Sequence, residues 1–379
     1  MNLDFSEEQE MLREMVRGVC ADHAGIDVVR EMEDDPVGYP DGFWQQLRDL
    51  DLVGLLLPAE YGGSGMTMLE GVVVYEEFGR ALAPSPHFVS AVMAGGVLSR
   101  AGSDDQKADV LTAIAAGERI VTPAWLEPES GFGPEGIHLT AETDGDELVL
   151  SGTKRHVAYA AAADQLLVLA RSGEGPGGID LVLVDRDRDG VELTQQMSIA
   201  SDTQYEITFD DVRVPASSRV GDPGSGWATW HAAMTDGIIL LAAYASGGAS
   251  EALDQTVQYA KDREQFGKPL GAFQSIAHYL ADAVTRVDGD RTLVHEAAWA
   301  RSEDRPGEHL AAMAKLSACR TFRDVTAMAQ QVWGGVGFTL EYDVQLYFRR
   351  AKALQVGWWN DRYLEELVAA SVLDEALSA

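Results

Sequence analysis

The most informative stretches lie in the last third of the chain: REQFGKPLGAFQ at residues 263–274 and QQVWGGVGFTLEYDVQLYFRRAK at residues 330–352. The first lies between two long helical patterns and combines groups that suit a pyrophosphate, since arginine can donate forked hydrogen bonds, phenylalanine can stack and glutamine can hydrogen-bond. In the second, Gly334 and Gly335 follow a helical pattern, so they lack the strand-then-helix context of a dinucleotide-binding fingerprint. On their own they indicate a helix C-cap, or a place where another group approaches the backbone closely.

Around these stretches the chain is helical, then strand-like, then helical again. The first helical region begins with a capping-box signature, in which Ser6 is followed by Gln9. The middle region alternates short apolar runs with turns, including a hairpin signal at 144–146. The last region contains long helical patterns, of which the final one covers roughly Asp361–Leu377. We therefore predict a mainly α chain with a β-domain: an N-terminal helical domain at 1–117, a central antiparallel β-barrel or sandwich at 118–226, and a C-terminal four-helix bundle at 227–379.

Composition excludes several classes of function. The formal net charge of −32 disfavours nucleic acid and acidic membrane surfaces as partners. An anionic ligand would need a local basic patch, for which residues 349–362 are the densest candidate, with Arg349, Arg350, Lys352 and Arg362. The two cysteines are far apart and no cluster has metal-ligand spacing, so we expect neither a disulfide nor a metal site. The N-terminal sequence lacks a signal-peptide pattern and no uninterrupted apolar run reaches the roughly 20 residues that span a bilayer, so we expect a cytoplasmic protein.

Together, the two C-terminal stretches and the helical–β–helical order resemble the acyl-CoA dehydrogenase family, over essentially the whole chain. The resemblance implies bound FAD, an acyl-CoA substrate, a homotetramer and an electron-transfer flavoprotein as electron acceptor. It also implies the chemistry: a carboxylate removes the proton α to the thioester, and a hydride leaves the β-carbon for the flavin. Such a base must be desolvated so that its pKa is raised.

In this family each FAD lies between two subunits, and one subunit supplies contacts to the pyrophosphate and adenosine. The residues that match this half-site, here called the pyrophosphate half-site, are Arg263, Gln265, Phe266, Gln274, Gln331, Gly334 and Gly335.

The other half-site, which surrounds the flavin ring and is here called the flavin-ring half-site, departs from the family pattern. Leu126 stands where the family has a threonine against the flavin, and Phe132 where it has a serine against phosphate. The family's Trp-Ile-Thr reads His156-Val157-Ala158. We interpret His156 as a hydrogen-bonded edge residue rather than as a substitute for the tryptophan.

The catalytic carboxylate is also missing. Counted from Arg349, its usual place is taken by Trp358, and the alternative place on the first long C-terminal helix is taken by Gly237. Asp236 is one residue away from that place, and because one residue turns a helix by about 100°, it is a poor substitute for the base. Glu341 lies in a motif where the family often has a non-catalytic acidic residue, and we interpret it as structural.

These departures favour one hypothesis over three others. Some bacterial members of the family, notably in steroid side-chain degradation, are heterotetramers in which one chain carries the base and the other completes the FAD pocket. The chain resembles the second kind, a subunit without the base. The alternatives are an active homotetramer with a non-standard base, a family member with different chemistry such as a desulfinase or oxidase, and a scaffold without catalytic function.

Small residues on the first C-terminal helix leave room for a bulky acyl group or permit close helix packing: Gly237, Ala242, Ala243, Gly247 and Gly248.

Overall fold

The computed structural model describes residues 5–374, and within them the chain divides into two compact units. The helical unit comprises the residues up to Arg30, Thr67–Ala83 and the chain from Ile238 onwards, whereas the sheet unit comprises Glu31–Met66 and Pro84–Gly237. This division does not test the three predicted domains, whose boundaries stay a prediction.

Helices make up most of the helical unit and also occur in the sheet unit. The α-helices are α1 (Glu7–His23), α2 (Ile26–Glu31), α3 (Asp41–Asp49), α4 (Met68–Ala81), α5 (Gly95–Ala101), α6 (Asp104–Gln106), α7 (Thr112–Ala115), α8 (Gly226–Asp262), α9 (Gln274–Ser302), α10 (Glu308–Trp333), α11 (Val344–Val356) and α12 (Asp361–Ala369). The segments Phe88–Ala94, Lys107–Leu111 and Ala370–Asp374 are π-helical. The predicted capping box is present at the start of α1, where the Ser6 hydroxyl accepts from the Gln9 backbone and the Gln9 side chain accepts from the Ser6 backbone.

Strands form the centre of the sheet unit. They are β1 (Val121–Ala124), β2 (Thr140–Asp144), β3 (Glu147–Ala158), β4 (Gln165–Arg171), β5 (Ile179–Asp185), β6 (Val191–Gln196), β7 (Gln204–Pro215) and β8 (Arg219–Val220), and a separate hairpin in the helical unit pairs β9 (Glu264–Gln265) with β10 (Lys268–Pro269). The order is β6-β7-β3-β2-β4-β5-β8, with β1 added on β4. The predicted hairpin turn joins β2 to β3, with Asp144 opposite Glu147.

The predicted fold class is confirmed, with two corrections of detail. The sheet is mixed rather than purely antiparallel, because β1 runs parallel to β4 and β2 meets β4 in parallel at Thr140 and Arg171. The C-terminal region contains α11 in addition to the four predicted helices, and most of this helix lies within the stretch 330–352 that also forms the glycine turn. The predicted end of the last helix at Leu377 lies outside the described residues.

From Ile238 onwards helix α8 belongs to the helical unit, where it packs against α4 through backbone. A Cβ atom on Gly79 would overlap the carbonyl oxygen of Tyr244, and one on Gly247 would overlap the carbonyl oxygen of Glu76. On another face of α8, Gly248 lies against the ring of Phe322. The small residues at 247 and 248 therefore serve close helix packing.

By length and composition, α8 could cross a membrane. One 18-residue window reaches a mean hydropathy of 1.2, and 78% of it is buried inside the protein, as in a core helix. The sequence expectation counted only uninterrupted apolar runs and so missed this window.

Because α4 is buried, two of its glutamates lie inside the helical unit. Glu76 is only 4% exposed, and it accepts a hydrogen bond from Nε2 of His295 at 2.7 Å and pairs with Arg13 at 3.2 Å and Arg291 at 3.4 Å. Burial alone would raise the pKa of Glu76, but the hydrogen bond from His295 and the two arginine charges outweigh it, so the pKa is lowered. Its neighbour Glu77 pairs with Arg17 at 2.8 Å. Helices α1, α4 and α9 are thus joined by a buried ionic network.

Replacing Glu76 by Gln should lower the free energy of unfolding by about 3 kcal/mol at neutral pH, because two arginines and His295 lose their buried counter-charge. A carboxylate whose pKa is lowered by folding stabilises the fold above its unfolded pKa, and that stability is lost as the pH falls through the folded-state pKa. The difference between wild type and variant should therefore shrink below about pH 4.5 in denaturation experiments run from pH 7 to 3. Glu14→Gln, on the exposed side of α1, is the matched control. Equal stability of E76Q and wild type at pH 7 would contradict the network's role.

Candidate functional site

The pyrophosphate half-site begins with the tight hairpin of β9 and β10. Phe266 and Gly267 form its turn with φ of 55° and 78°, and the Phe266 side chain is 94% exposed. Arg263, Gln265 and Gln274 are also exposed. A turn that holds a phenylalanine almost entirely in water leaves its ring available to cover a ligand or another chain.

The two informative sequence motifs come together at one end of the helical unit. The last residue of α10, Trp333, stacks on Tyr259 of α8 with ring centres 4.1 Å apart, and its indole nitrogen donates to the hydroxyl of Thr256 at 3.3 Å. Arg263 follows four residues after Tyr259, and Gly334 follows Trp333 directly. This stack therefore places the arginine hairpin and the glycine turn next to each other.

The backbone of the glycine turn is open on its outer side. Gly334 has φ of 66°, and a Cβ atom built on Gly334 or Gly335 would meet nothing within 4 Å. A charged oxygen could therefore approach this backbone while Arg263 donates from the adjacent hairpin. These residues fit the pyrophosphate of FAD, and their assignment as FAD contacts stays a prediction.

The flavin-ring half-site is built on a buried ion pair that the sequence analysis missed. Lys154 on β3 is fully buried, and its Nζ lies 2.6 Å from Oε1 of Glu127. Burial lowers the pKa of Lys154 to about 8, against the opposing attraction of Glu127. Glu127 also accepts from the backbone of His138 at 2.9 Å and of Leu139 at 3.0 Å. The segment 125–139 is therefore closed into a loop around this pair.

The side chains on that loop do not suit a flavin. Neither Leu126 nor Phe132 can donate a hydrogen bond. Phe132 instead packs on Trp125, with ring centres 5.8 Å apart, and Trp125 packs on Trp230 at 5.3 Å. The donors that the family pattern would place here are thus replaced by an aromatic cluster, and this half-site does not fit the cofactor.

His156 occupies a bulge at the edge of β3. It has φ of 55°, its backbone donates to Gln196 at 3.1 Å, and its Nδ1 lies 2.8 Å from Oε1 of Gln204. The ring is exposed and hydrogen-bonded, as the sequence interpretation expected.

The loop after α11, where the family resemblance places the base, keeps its shape without a carboxylate. Trp358 and Trp359 have φ of 51° and 70°, a strained conformation for bulky side chains. The fully buried Lys315 donates to the carbonyls of Leu354, Gly357 and Trp359 at 3.2, 3.2 and 3.0 Å. Burial lowers the pKa of this lysine. Sequence reasoning missed Lys315, although a lysine among the alanines of an apolar helix stripe was a usable signal.

The second base position has no carboxylate and no space for one. A Cβ atom on Gly237 would lie 2.7 Å from Sδ of Met93 and 3.3 Å from the ring of Phe88. The neighbouring Asp236 forms an ion pair with Arg100, and its side chain is 18% exposed. Glu341 is exposed, and a hydrogen bond with Thr339 lowers its pKa. None of these groups is placed as a desolvated base.

The basic side chains near the C-terminus do not act together. Their partners are Gln345 for Arg349, Tyr244 for Arg350, Gln355 for Lys352 and Glu366 for Arg362. The four basic residues, which are close together in the sequence, therefore make hydrogen bonds to different partners in the fold.

Comparison with known proteins gives the same family along the chain. Sequence models of the acyl-CoA dehydrogenase N-terminal, middle and C-terminal domains match residues 6–118, 123–212 and 224–373. A probable acyl-CoA dehydrogenase of Bacillus subtilis, YngJ, is 33% identical over 383 residues, which cover 98% of this chain and 100% of that protein.

Solved structures show the same fold. The chain is similar to a chain of the ChsE4–ChsE5 complex from Mycobacterium tuberculosis, with a TM-score of 0.89, 28% identity and coverage of 98% and 99%. A variant of the steroid ACAD Tcur3481–Tcur3483 gives a TM-score of 0.86 at 30% identity with coverage of 98% and 99%. A structure of the electron transferring flavoprotein of Acidaminococcus fermentans gives 0.91 at 26% identity with coverage of 98% and 100%.

The packing at Gly237 can be tested by adding one methyl group. Gly237→Ala should lower the free energy of unfolding by about 1 kcal/mol or more, because Met93 must move to admit the Cβ atom. Gly18→Ala on α1, where a Cβ atom meets nothing within 4 Å, should raise it by roughly 0.5–1 kcal/mol. Chemical denaturation of both variants measures the difference. A stabilising Gly237→Ala would contradict the close packing.

Proposed function

Because the chain belongs to the acyl-CoA dehydrogenase family, whose members are FAD-dependent oxidoreductases acting on CH–CH donors, we propose that it is the base-free subunit of a two-chain acyl-CoA dehydrogenase. It supplies the pyrophosphate half-site to an FAD that a homologous partner chain shares. The partner supplies the flavin-ring half-site and the carboxylate. The observation that carries this proposal is the contrast between an open pyrophosphate half-site and two base positions without a carboxylate.

In this function the residues of the chain bind and orient rather than transfer protons. Arg263 would donate to pyrophosphate oxygens, and charge-assisted hydrogen bonds of this kind are among the strongest in proteins. Gly334 and Gly335 would let the nucleotide approach the backbone, and Phe266 would cover it. When bound, FAD supplies the acceptor for the hydride that leaves the acyl chain. The proton is removed by the partner's carboxylate.

The comparisons support a two-chain enzyme and a bulky substrate. ChsE4–ChsE5 is described as a complex, and Tcur3481–Tcur3483 as a steroid ACAD. We propose an acyl-CoA with a large ring system, of the steroid class, as the substrate of the complex. We further propose an electron-transfer flavoprotein as the acceptor of its electrons and the cytoplasm as its location.

The proposal predicts an unusual flavin content. The chain purified alone should carry no FAD, because the side chains of Leu126 and Phe132 in its flavin-ring half-site cannot donate hydrogen bonds. Co-expressed with a dehydrogenase-like chain encoded beside it, the complex should contain about one FAD per two chains, measured by visible absorbance against protein concentration. One FAD per chain in a homo-oligomer would overturn the proposal.

A variant of the hairpin gives the matched test within that complex. Arg263→Gln should reduce the FAD retained on gel filtration, whereas Arg188→Gln, which changes an exposed arginine of the sheet unit that is not a predicted FAD contact, should not. Equal retention by the arginine variants would exclude Arg263 as a pyrophosphate ligand.

The alternative of an active homotetramer requires Asp236 or another group as its base, and the role of Asp236 can be tested directly. Asp236→Asn removes that base while keeping the size of the side chain. In the mixed complex this change should leave the rate of acyl-CoA oxidation within about twofold of wild type, since a missing general base costs about 10²–10⁴-fold. Thermal unfolding of the variant controls for the lost ion pair with Arg100. A rate loss of 100-fold in a folded complex would restore Asp236 as the base.

A further inference from the structure

One buried side chain beside the glycine turn has no partner in the fold. Gln330, the residue before the predicted FAD contact Gln331, is 3% exposed, and within residues 5–374 neither Nε2 nor Oε1 of its amide has a hydrogen-bond partner. A buried amide without partners destabilises the conformation that holds it. Its presence therefore requires an explanation.

The backbone of the glycine turn passes directly over this amide. A Cβ atom on Gly337 would lie 2.9 Å from Oε1 of Gln330 and 3.0 Å from Cβ of Trp333. With glycine at 337, no side chain separates the amide from the turn Gly334–Phe338. A small shift of the turn would bring its N–H and carbonyl groups within reach of the amide.

The two sides of the turn Gly334–Phe338 thus differ, and this difference would allow a bound ligand to shift the backbone of the turn. The outer side is open at Gly334 and Gly335, where the pyrophosphate would bind, and the inner side faces the unpartnered amide. The buried residues Ala329 and Val332 beside Gln330 are apolar, and the polar Thr326, one turn earlier on the buried face of α10, donates to the carbonyl of Phe322 at 2.8 Å. A position with a purely packing role on this face would be expected to be apolar too.

We propose that Gln330 is a positioning residue for the cofactor: nucleotide binding on the outer side shifts the turn, and the turn's backbone then hydrogen-bonds to the Gln330 amide. The inference rests on the proposed function, since it requires that a pyrophosphate binds at this turn. In this proposal the Gln330 amide, which has no hydrogen-bond partner among the described residues, gains one when the turn shifts, so the shifted and unshifted turns differ by that hydrogen bond. Such a difference between two states is what allows a ligand to select one of them.

The test combines the stability of the chain alone with the FAD affinity of the mixed complex. Gln330→Met keeps the length of the side chain and removes both polar atoms. The chain alone should unfold at the same or a higher temperature than wild type, because no unpartnered amide remains. The complex should bind FAD about fivefold more weakly, the equivalent of the roughly 1 kcal/mol of one neutral hydrogen bond. Gln330→Leu provides a second variant if the methionine side chain packs poorly.

The neighbouring Gln331→Met is the matched control, because it removes an exposed amide that is predicted to contact FAD directly. It should weaken FAD binding without raising the unfolding temperature of the chain alone. A lower unfolding temperature for Gln330→Met would show that the amide already has a partner and overturn the inference. Unchanged FAD affinity in a complex whose wild type binds FAD would overturn it as well. A wild-type complex that binds no FAD would instead contradict the proposed function.

Discussion

The close crossing of α4 and α8 is the constraint from which much of the helical unit follows. At Gly79 and Gly247 the two helices meet backbone to backbone, with no room for a Cβ atom on either. Helix α4 is therefore buried along much of its length, and the charged Glu76 and Glu77 are buried with it. A buried carboxylate must be paired, so the arginines of α1 and the basic residues of α9 are drawn to the same place. The ionic network is thus a consequence of the packing rather than an independent feature.

Local signals in the sequence predicted the helices and strands well, but they did not predict which distant strands pair with each other. The capping box at Ser6 and the hairpin turn at 144–146 depend on residues only a few positions apart. The parallel pairing of β1 with β4 joins residues about forty positions apart, and no local pattern encodes it. Lys154 and Lys315 were missed for a different reason: a lysine is normally exposed, and only its partners in the fold make burial possible.

The sequence predicted the motifs of the candidate site, but it did not predict that one half-site is open and the other is filled by aromatic side chains. Sequence identified Arg263 and Gly335 as matching the family and Leu126 and Phe132 as departing from it. It could not show that Phe132 packs into an aromatic cluster, while the turn at Gly335 stays open. Whether the turn at Gly335 is open depends on how the rest of the chain packs around it, and a sequence motif does not contain that information.

The loop at Trp358 has a defined backbone conformation although it carries no carboxylate side chain. Lys315 donates to three carbonyls of this loop, and such a fully buried ammonium is stable only while all its donors are satisfied. The loop is therefore held in a strained conformation, with two successive tryptophans at positive φ, although it carries no carboxylate. The backbone conformation of this loop is thus fixed by the hydrogen bonds from Lys315 and does not depend on a carboxylate side chain.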